Sequence, residues 1–334
     1  MRPVHGARPD PAGGARRFFG VLHGRLLRLP EAGGWQDSRP RLQSGAFYHQ
    51  GRAPERIRWT RAITEADAMA RPIITFTSDF GSDDWFVGVV HGVLYGICPE
   101  ARVVDLAHQI PPGHVAHAAF VLEAAAPDFP PETVHLAVVD PGVGTGRRAL
   151  AARAHGQWFV GPDNGLLEWA ACDPKAEFRS LTEERYFRQP VSRTFHGRDV
   201  FAPVAAHLAR GEPFERLGQA IRDPVRLTGS VVRRVDGTLA GRVMLVDRFG
   251  NALTNLTEGD LTDAFPTLPE THLEVVVAGR VVSGLARSYG DSPVGTLLAL
   301  VGSSGRLEIA QVGGNAAERL GLGEGDPVAV RARR

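Results

Sequence analysis

Ile73-Ile74-Thr75-Phe76-Thr77 runs directly into Ser78-Asp79-Phe80-Gly81-Ser82-Asp83-Asp84, and an apolar stretch of helical length follows over residues 85–97, stopping before Pro99. A short β-branched run, a polar turn and a helical run make one strand–loop–helix unit. The pattern then repeats. Val103-Val104-Asp105-Leu106 reads as a strand, residues 114–125 as a helix, and Val134-His135-Leu136-Ala137-Val138-Val139 as another strand. This alternation predicts an α/β fold whose N-terminal part is a mostly parallel sheet with flanking helices. Open sheets of that class bind ligands outside the carboxyl ends of their strands. The polar clusters at 79–84 and 140–147 both stand where strands end, so a site is expected there.

Downstream, after a helical stretch at 200–210, the text changes character. Short β-branched runs separated by turns, such as Arg242-Val243-Met244-Leu245-Val246, Leu273-Glu274-Val275-Val276-Val277 and Leu307-Glu308-Ile309-Ala310, predict a smaller β-rich C-terminal domain. Upstream, residues 1–70 carry twelve arginines against six acidic side chains and are broken by six prolines. No apolar face persists through them, so they read as a basic leader that is disordered or follows from a start placed too early, Met69 standing just before the first convincing strand; a targeting presequence is the alternative. The expected organisation is therefore a leader over 1–70, an α/β domain that binds the ligand and carries the catalytic residues over 71–222, a linker over 223–237, and a β-rich domain over 238–334 that completes the site.

Composition narrows the function. With 334 residues, 43% hydrophobic content and 38 basic against 37 acidic side chains, the chain is neither a disordered protein nor one with the concentrated basic face that duplex binding needs. No span of about 18 apolar residues occurs, so no membrane partner is expected. Two cysteines far apart, Cys98 and Cys172, point to a reducing, cytoplasmic setting and to no thiolate metal site.

Several motifs carry possible chemistry. Val138-Val139-Asp140-Pro141-Gly142-Val143-Gly144-Thr145-Gly146 looks at first like the nucleotide loop of a methyltransferase, but there the glycines open a helix. Here Arg147-Arg148 leads into Ala149-Leu150-Ala151-Ala152-Arg153-Ala154 and then Trp158-Phe159-Val160, which reads better as two strands joined by a turn, leaving Asp140 and Arg147 free to converge. His196, in Thr194-Phe195-His196-Gly197-Arg198-Asp199, can orient or deprotonate a water, or simply be structural. Asp79 and Asp84 can be turn and N-cap residues. Asn164 in Pro162-Asp163-Asn164-Gly165 can be only a tight turn. Asp247-Arg248-Phe249-Gly250-Asn251 echoes the Asp79 loop in the other domain and suggests the second wall of one cleft.

Taken in order, Thr77-Ser78-Asp79-Phe80-Gly81, Val139-Asp140-Pro141-Gly142-Val143-Gly144, Gly161-Pro162-Asp163-Asn164-Gly165, Phe195-His196-Gly197-Arg198-Asp199 and Asp247-Arg248-Phe249-Gly250-Asn251 resemble the S-adenosyl-L-methionine (SAM) hydroxide adenosyltransferase family, the adenosine-forming SAM hydrolases, which are related to SAM-dependent fluorinases and chlorinases. The resemblance runs from about residue 72 to the C-terminus. It implies hydrolysis of SAM to adenosine and L-methionine, with a water-derived oxygen attacking the ribose 5′ carbon. SAM is then the substrate, no cofactor is required, and no metal is needed because the sulfonium is already a good leaving group.

The family's Asp-Arg-His triad falls on Asp140, Arg147 and His196 as catalytic residues. A carboxylate and an imidazole can share the water's proton while a guanidinium stabilises developing hydroxide character; which of the two takes the proton stays open at this level. The same resemblance puts Asp79 on the ribose hydroxyls, Asp84 on the methionine ammonium, and Asn164 and Ser303 around the amino-acid end. Asp247, Phe249 and Asn251 fall on the second-domain wall, which in relatives comes from a neighbouring subunit of a homotrimer. A halogenase is the alternative reading, disfavoured because an anionic Asp140 beside the nucleophile repels halide; a methyltransferase or a non-catalytic SAM-binding protein stands further off. Gly113, Ser304 and Gln311 depart from the fluorinase pattern, at an adenine-stacking tryptophan and two arginines respectively.

Overall fold

The computed structural model describes residues 71–227 and 232–333. The leader read over 1–70 lies outside the described residues. β1 (Ile73–Ser78) forms where the apolar run predicts it and is buried along nearly its whole length. The loop after it leads to α1 (Phe86–Ile97), then β2 (Arg102–Ala107), α2 (Val115–Ala125) and β3 (Val134–Val138). β1 pairs in parallel with both β2 and β3.

The sheet then departs from the expected parallel pattern. β4 (Ala149–Ala154) and β5 (Gln157–Pro162) form an antiparallel hairpin closed by His155 and Gly156, whose φ angles are 53° and 75°. Two consecutive positive φ values are what a two-residue hairpin turn requires if its twist is to match the strands. β5 adds in parallel to β3, whereas β6 (Glu177–Leu181) and β7 (Gly218–Ile221) extend the edge beyond β4 with antiparallel pairings. The seven-stranded order β2-β1-β3-β5-β4-β6-β7 is thus mixed, which corrects the mostly parallel expectation. The two-residue turn forces β4 and β5 antiparallel, since a parallel neighbour needs a long crossover. A strand, not a helix, follows the glycine loop, and the methyltransferase reading falls with it.

Side-chain alternation builds a core on each face of this sheet. Ile74, Phe76, Leu136 and Val138 pack with Val90 and Leu94 of α1 and Val204 of α4 (Ala202–Ala209). Ala137, Val139, Leu150 and Phe159 pack on the other face with Ala118 and Leu122 of α2 and Ala170 of α3 (Glu168–Ala171). Burying such side chains on both faces gives about 1.5–3 kcal/mol each relative to exposure and fixes the strand ends that carry the polar loops.

Within the stretch read as a linker, Asp223 and Val225 are tied to Arg148 and Asp163, and residues 233–235 form β8 (Arg233–Val235) against β9 (Thr238–Val246). The C-terminal part continues with β10 (Ala252–Thr257), α5 (Glu258–Ala264), β11 (Leu273–Val277), β12 (Arg280–Ser283), β13 (Leu285–Ala286), β14 (Leu297–Val301), β15 (Arg306–Gln311), α6 (Ala316–Leu320) and β16 (Pro327–Ala332). Its sheet runs β12-β11-β16-β9-β10-β15-β14-β13 and is antiparallel except for β13 with β14. Leu239, Val243, Leu256, Val275, Leu307 and Val330 form its separate core. An ion pair from Arg306 to Glu123 of α2 joins the two parts. Among the described residues no helix is long and apolar enough to cross a membrane.

Candidate active site

A cavity of about 320 Å³ opens at the carboxyl ends of β1 and β3, lined by Asp79, Phe80, Asp140, Phe195 and His196 among others. The sheet explains the convergence. β1 delivers Asp79 one residue past its last paired position, and β3, hydrogen-bonded beside it, delivers Asp140 two residues past its own end.

Asp140 and Arg147 face each other across the glycine loop. Arg147 Nε donates to Asp140 Oδ1 at 2.8 Å, and Nη2 donates to Oδ2, giving a two-pronged guanidinium–carboxylate pair. The same Nη2 lies 2.9 Å from Nδ1 of His196. The pair is largely enclosed, the side chains retaining only 6% and 11% of their exposure, and the guanidinium sits over the Phe201 ring at 5.0 Å. The loop can close this tightly because Gly144 has φ +77° and a Cβ there would stand 2.4 Å from the Arg193 carbonyl oxygen.

A guanidinium is donor-only, so Nδ1 of His196 must accept and the ring proton must reside on Nε2. Burial and the Arg147 charge hold His196 below the ordinary imidazole range, against the opposing pull of Asp140 and Asp199. The imidazole is therefore neutral at pH 7. His196 enters a single π turn, Gly197–Phe201, before α4, a local widening frequent at functional sites. The turn is anchored by fully buried Asp199, which accepts from Arg188, Arg198 and the Ser192 amide. Although burial opposes ionisation, these bonds keep the Asp199 carboxyl below its usual range.

The remaining sequence-derived residues divide. Asp79 lines the cavity and accepts from the Gly113 amide through Oδ2 at 2.8 Å. Asp84 is exposed and caps nothing, the N-cap of α1 being Trp85 without a side-chain bond. Asn164 bridges backbone: Nδ2 donates to the Val139 carbonyl and Oδ1 accepts from the Leu166 amide. Asp247 folds its own loop, accepting from the amides of Phe249 and Asn251 through Oδ1 and from the Asn251 side chain through Oδ2. Phe249 projects outward, 78% exposed. Ser303 lines a different cavity of about 660 Å³ in the C-terminal part, beside Arg306 and Glu123. The smaller cavity is the better candidate for chemistry, because there a carboxylate, a guanidinium and an imidazole converge. The expected cleft with an Asp247–Asn251 wall is not formed around it by this chain. Among the described residues no group of three His, Cys, Asp or Glu is disposed to hold a metal ion.

Two aromatic residues that the sequence does not single out, Phe80 and Phe195, are cavity walls. Phe80 and Phe195 meet edge to face at 5.7 Å and Phe86 packs on both. Their signal was the Phe in Asp-Phe-Gly and in Phe-His-Gly.

Comparison with known proteins places the chain among related sequences and structures. Residues 74–218 match the SAM hydroxide adenosyltransferase N-terminal domain and residues 241–329 the corresponding C-terminal domain. The (R)-S-adenosyl-L-methionine hydrolase of Salinispora tropica is 43% identical over 265 residues, covering 78% of this chain and 98% of that protein. A fluorinase of Actinopolyspora mzabensis is 29% identical over 296 residues, covering 79% and 99%. Among solved structures, an uncharacterized conserved protein from Thermotoga maritima superposes with a TM-score of 0.73 at 37% identity, covering 77% of this chain and 99% of that one. With both domain models matched in order across most of its length, the chain belongs to the SAM hydroxide adenosyltransferase family.

Proposed function

We propose that this protein hydrolyses SAM to adenosine and L-methionine. The observation that carries the reading is the continuous hydrogen-bonded run Asp140–Arg147–His196, whose two outer members line the cavity that also holds Asp79. A water oxygen bonds to the ribose 5′ carbon, the carbon–sulfur bond breaks, and its electron pair passes to sulfur, releasing neutral methionine thioether. One water proton must leave. Because Nδ1 of His196 accepts from Arg147, its Nε2–H can only donate, and the proton falls to the Asp140 carboxylate. His196 then orients the water oxygen, while Arg147, which does not line the cavity, positions both partners. Such a positive leaving group asks for no Lewis acid.

Asp79 takes the ribose hydroxyls as a two-oxygen acceptor. Asp84 and Asn164 serve the methionine portion, Asn164 through the backbone it ties, and Ser303, which lies in the separate C-terminal cavity, serves it from a neighbouring subunit. Asp247, Phe249 and Asn251 complete the site of a neighbouring subunit in a homotrimer, a reading supported by the outward projection of Phe249 and by the separation of that loop from the Asp140 cavity. Unpaired thiols at Cys98 and Cys172 fit a cytoplasmic setting. Halide addition is disfavoured by the Asp140 carboxylate on the cavity wall. The test is incubation with SAM in ¹⁸O-water: label in the adenosine 5′ hydroxyl supports hydrolysis, whereas unlabelled adenosine, a halogenated nucleoside or no turnover overturns it.

A further inference from the structure

Behind the cavity stands a second polar run that the proposed chemistry does not use. Ser78, the last residue of β1, has no exposed surface, and its Oγ lies 2.7 Å from Nδ1 of His108. Nε2 of His108 lies 3.0 Å from Oδ1 of Asp105, which also meets Nε2 of His91 at 2.8 Å. The Ser78 Oγ–His108 Nδ1 hydrogen bond forms with either ring tautomer, the hydroxyl donating to a bare Nδ1 or accepting from Nδ1–H. Ser, His and Asp in that order resemble a nucleophilic triad, but a serine with no exposed surface cannot meet a substrate.

What the run does touch is the loop that bears Asp79. Ser78 Oγ accepts the Phe80 amide at 3.3 Å, and the His108 carbonyl accepts the Gly81 amide at 2.7 Å. His108 therefore grips loop 78–81 at both ends, by its ring and by its backbone, with Asp79 and Phe80 held between the two grips. A register shift brings it there: Phe76 pairs with Asp105 but Thr77 with Ala107, so the β1–β2 ladder bulges at Leu106 and turns His108 toward β1. Its ring packs edge to face on Phe76 at 4.7 Å.

We infer that His108 is a positioning residue, acting through Ser78 to hold the Asp79 carboxylate in register with the ribose hydroxyls of the ligand. The inference rests on the SAM-hydrolase reading of the cavity and adds to it a member that does not touch the ligand. Asp105 supports the arrangement: the facing His108 and His91 rings outweigh the upward push of burial and keep its carboxyl below the usual range.

The experiment compares the unmodified full-length protein with His108→Phe, which keeps the ring against Phe76 but removes both nitrogens, with Ser78→Ala, and with His108→Asn, which keeps an acceptor near the Nδ1 position. KM and kcat for SAM are measured together with the affinities for adenosine and 2′,3′-dideoxyadenosine, which lacks the hydroxyls that Asp79 would bind. The expected result is a KM raised about tenfold in His108→Phe and Ser78→Ala with kcat changed less than about threefold, a matching loss of the preference for adenosine, and partial recovery in His108→Asn. Ser78→Ala combined with His108→Phe should cost less than the sum of the two, because the Ser78–His108 bond is lost in both. Full preference for adenosine in both single variants, or a fall in kcat at unchanged KM, overturns the positioning role while leaving the cavity reading intact. If the unmodified protein itself fails to prefer adenosine over its dideoxy analogue, the reading of Asp79 fails and the inference with it.

Discussion

Replacing Arg147 by methionine keeps the volume and the contact with Phe201 but removes the charge that faces Asp140. The carboxylate then remains in a site where its side chain has only 6% of its surface exposed, having lost both prongs of its partner. Removing one member of a buried pair costs about 3–5 kcal/mol, and the opening of this pair onto a cavity argues for the lower end, about 3 kcal/mol. The second variant needed is Arg147→Met with Asp140→Asn, which deletes the stranded charge as well; it should recover about half of that loss, leaving the cost of imperfectly satisfied neutral groups, about 1–2 kcal/mol. Urea unfolding of the parent, the single variant and the double variant measures these differences directly, and adenosine release from SAM measures the function in parallel. Turnover should fall by at least about 10² in the single variant, because Asp140 and His196 both lose their shared anchor, and it should not return in the double variant. The reasoning is refuted if Arg147→Met unfolds within about 0.5 kcal/mol of the parent, or if the double variant is no more stable than the single one.

Asp140→Ala and His196→Ala should each lower kcat by about 10²–10⁴ while SAM affinity changes far less, and an equal loss of affinity would make them binding residues instead. Because burial and Arg147 hold His196 below the ordinary imidazole value, the acid limb of kcat/KM should lie below pH 6.5 and move upward in Arg147→Met, where the cationic neighbour is gone; a pH–rate profile reads both. His135, buried against Phe159 and bonded to Thr75, is pushed down to about 4 by burial, so the unfolded chain takes up its proton first. Its contribution is complete above pH 6.5 and is lost as pH falls toward 4, roughly 3 kcal/mol in all, and urea midpoints across that window should flatten in His135→Asn.

Much of the local structure was legible in short runs. Apolar and β-branched segments at 73–77, 134–139 and 242–246 became strands, and the strand after the glycine loop was readable because Arg147-Arg148 is followed by a run with no helical face. Local side-chain periodicity decides such elements, and it needs no information from the rest of the chain. Strand direction was not legible in this way. Whether β4, β6 and β7 join the sheet parallel or antiparallel depends on loop reach and on the two positive φ angles at 155–156, which the runs themselves do not encode.

At the site the division is similar. Five motifs in order named the chemistry, since a carboxylate, a guanidinium and an imidazole can be recognised as residue types wherever they stand. Only tertiary structure decided that Arg147 reaches Asp140 and His196 with one guanidinium, and thereby which nitrogen of His196 carries the proton. It also decided that Asn164 ties the Val139 carbonyl, and that a bulge at Leu106 swings His108 under loop 78–81. The physical reason is common to all three: residue type and local pattern are properties of a few consecutive positions, whereas a hydrogen bond's partner is set by the packing of strands and helices that lie tens of residues apart.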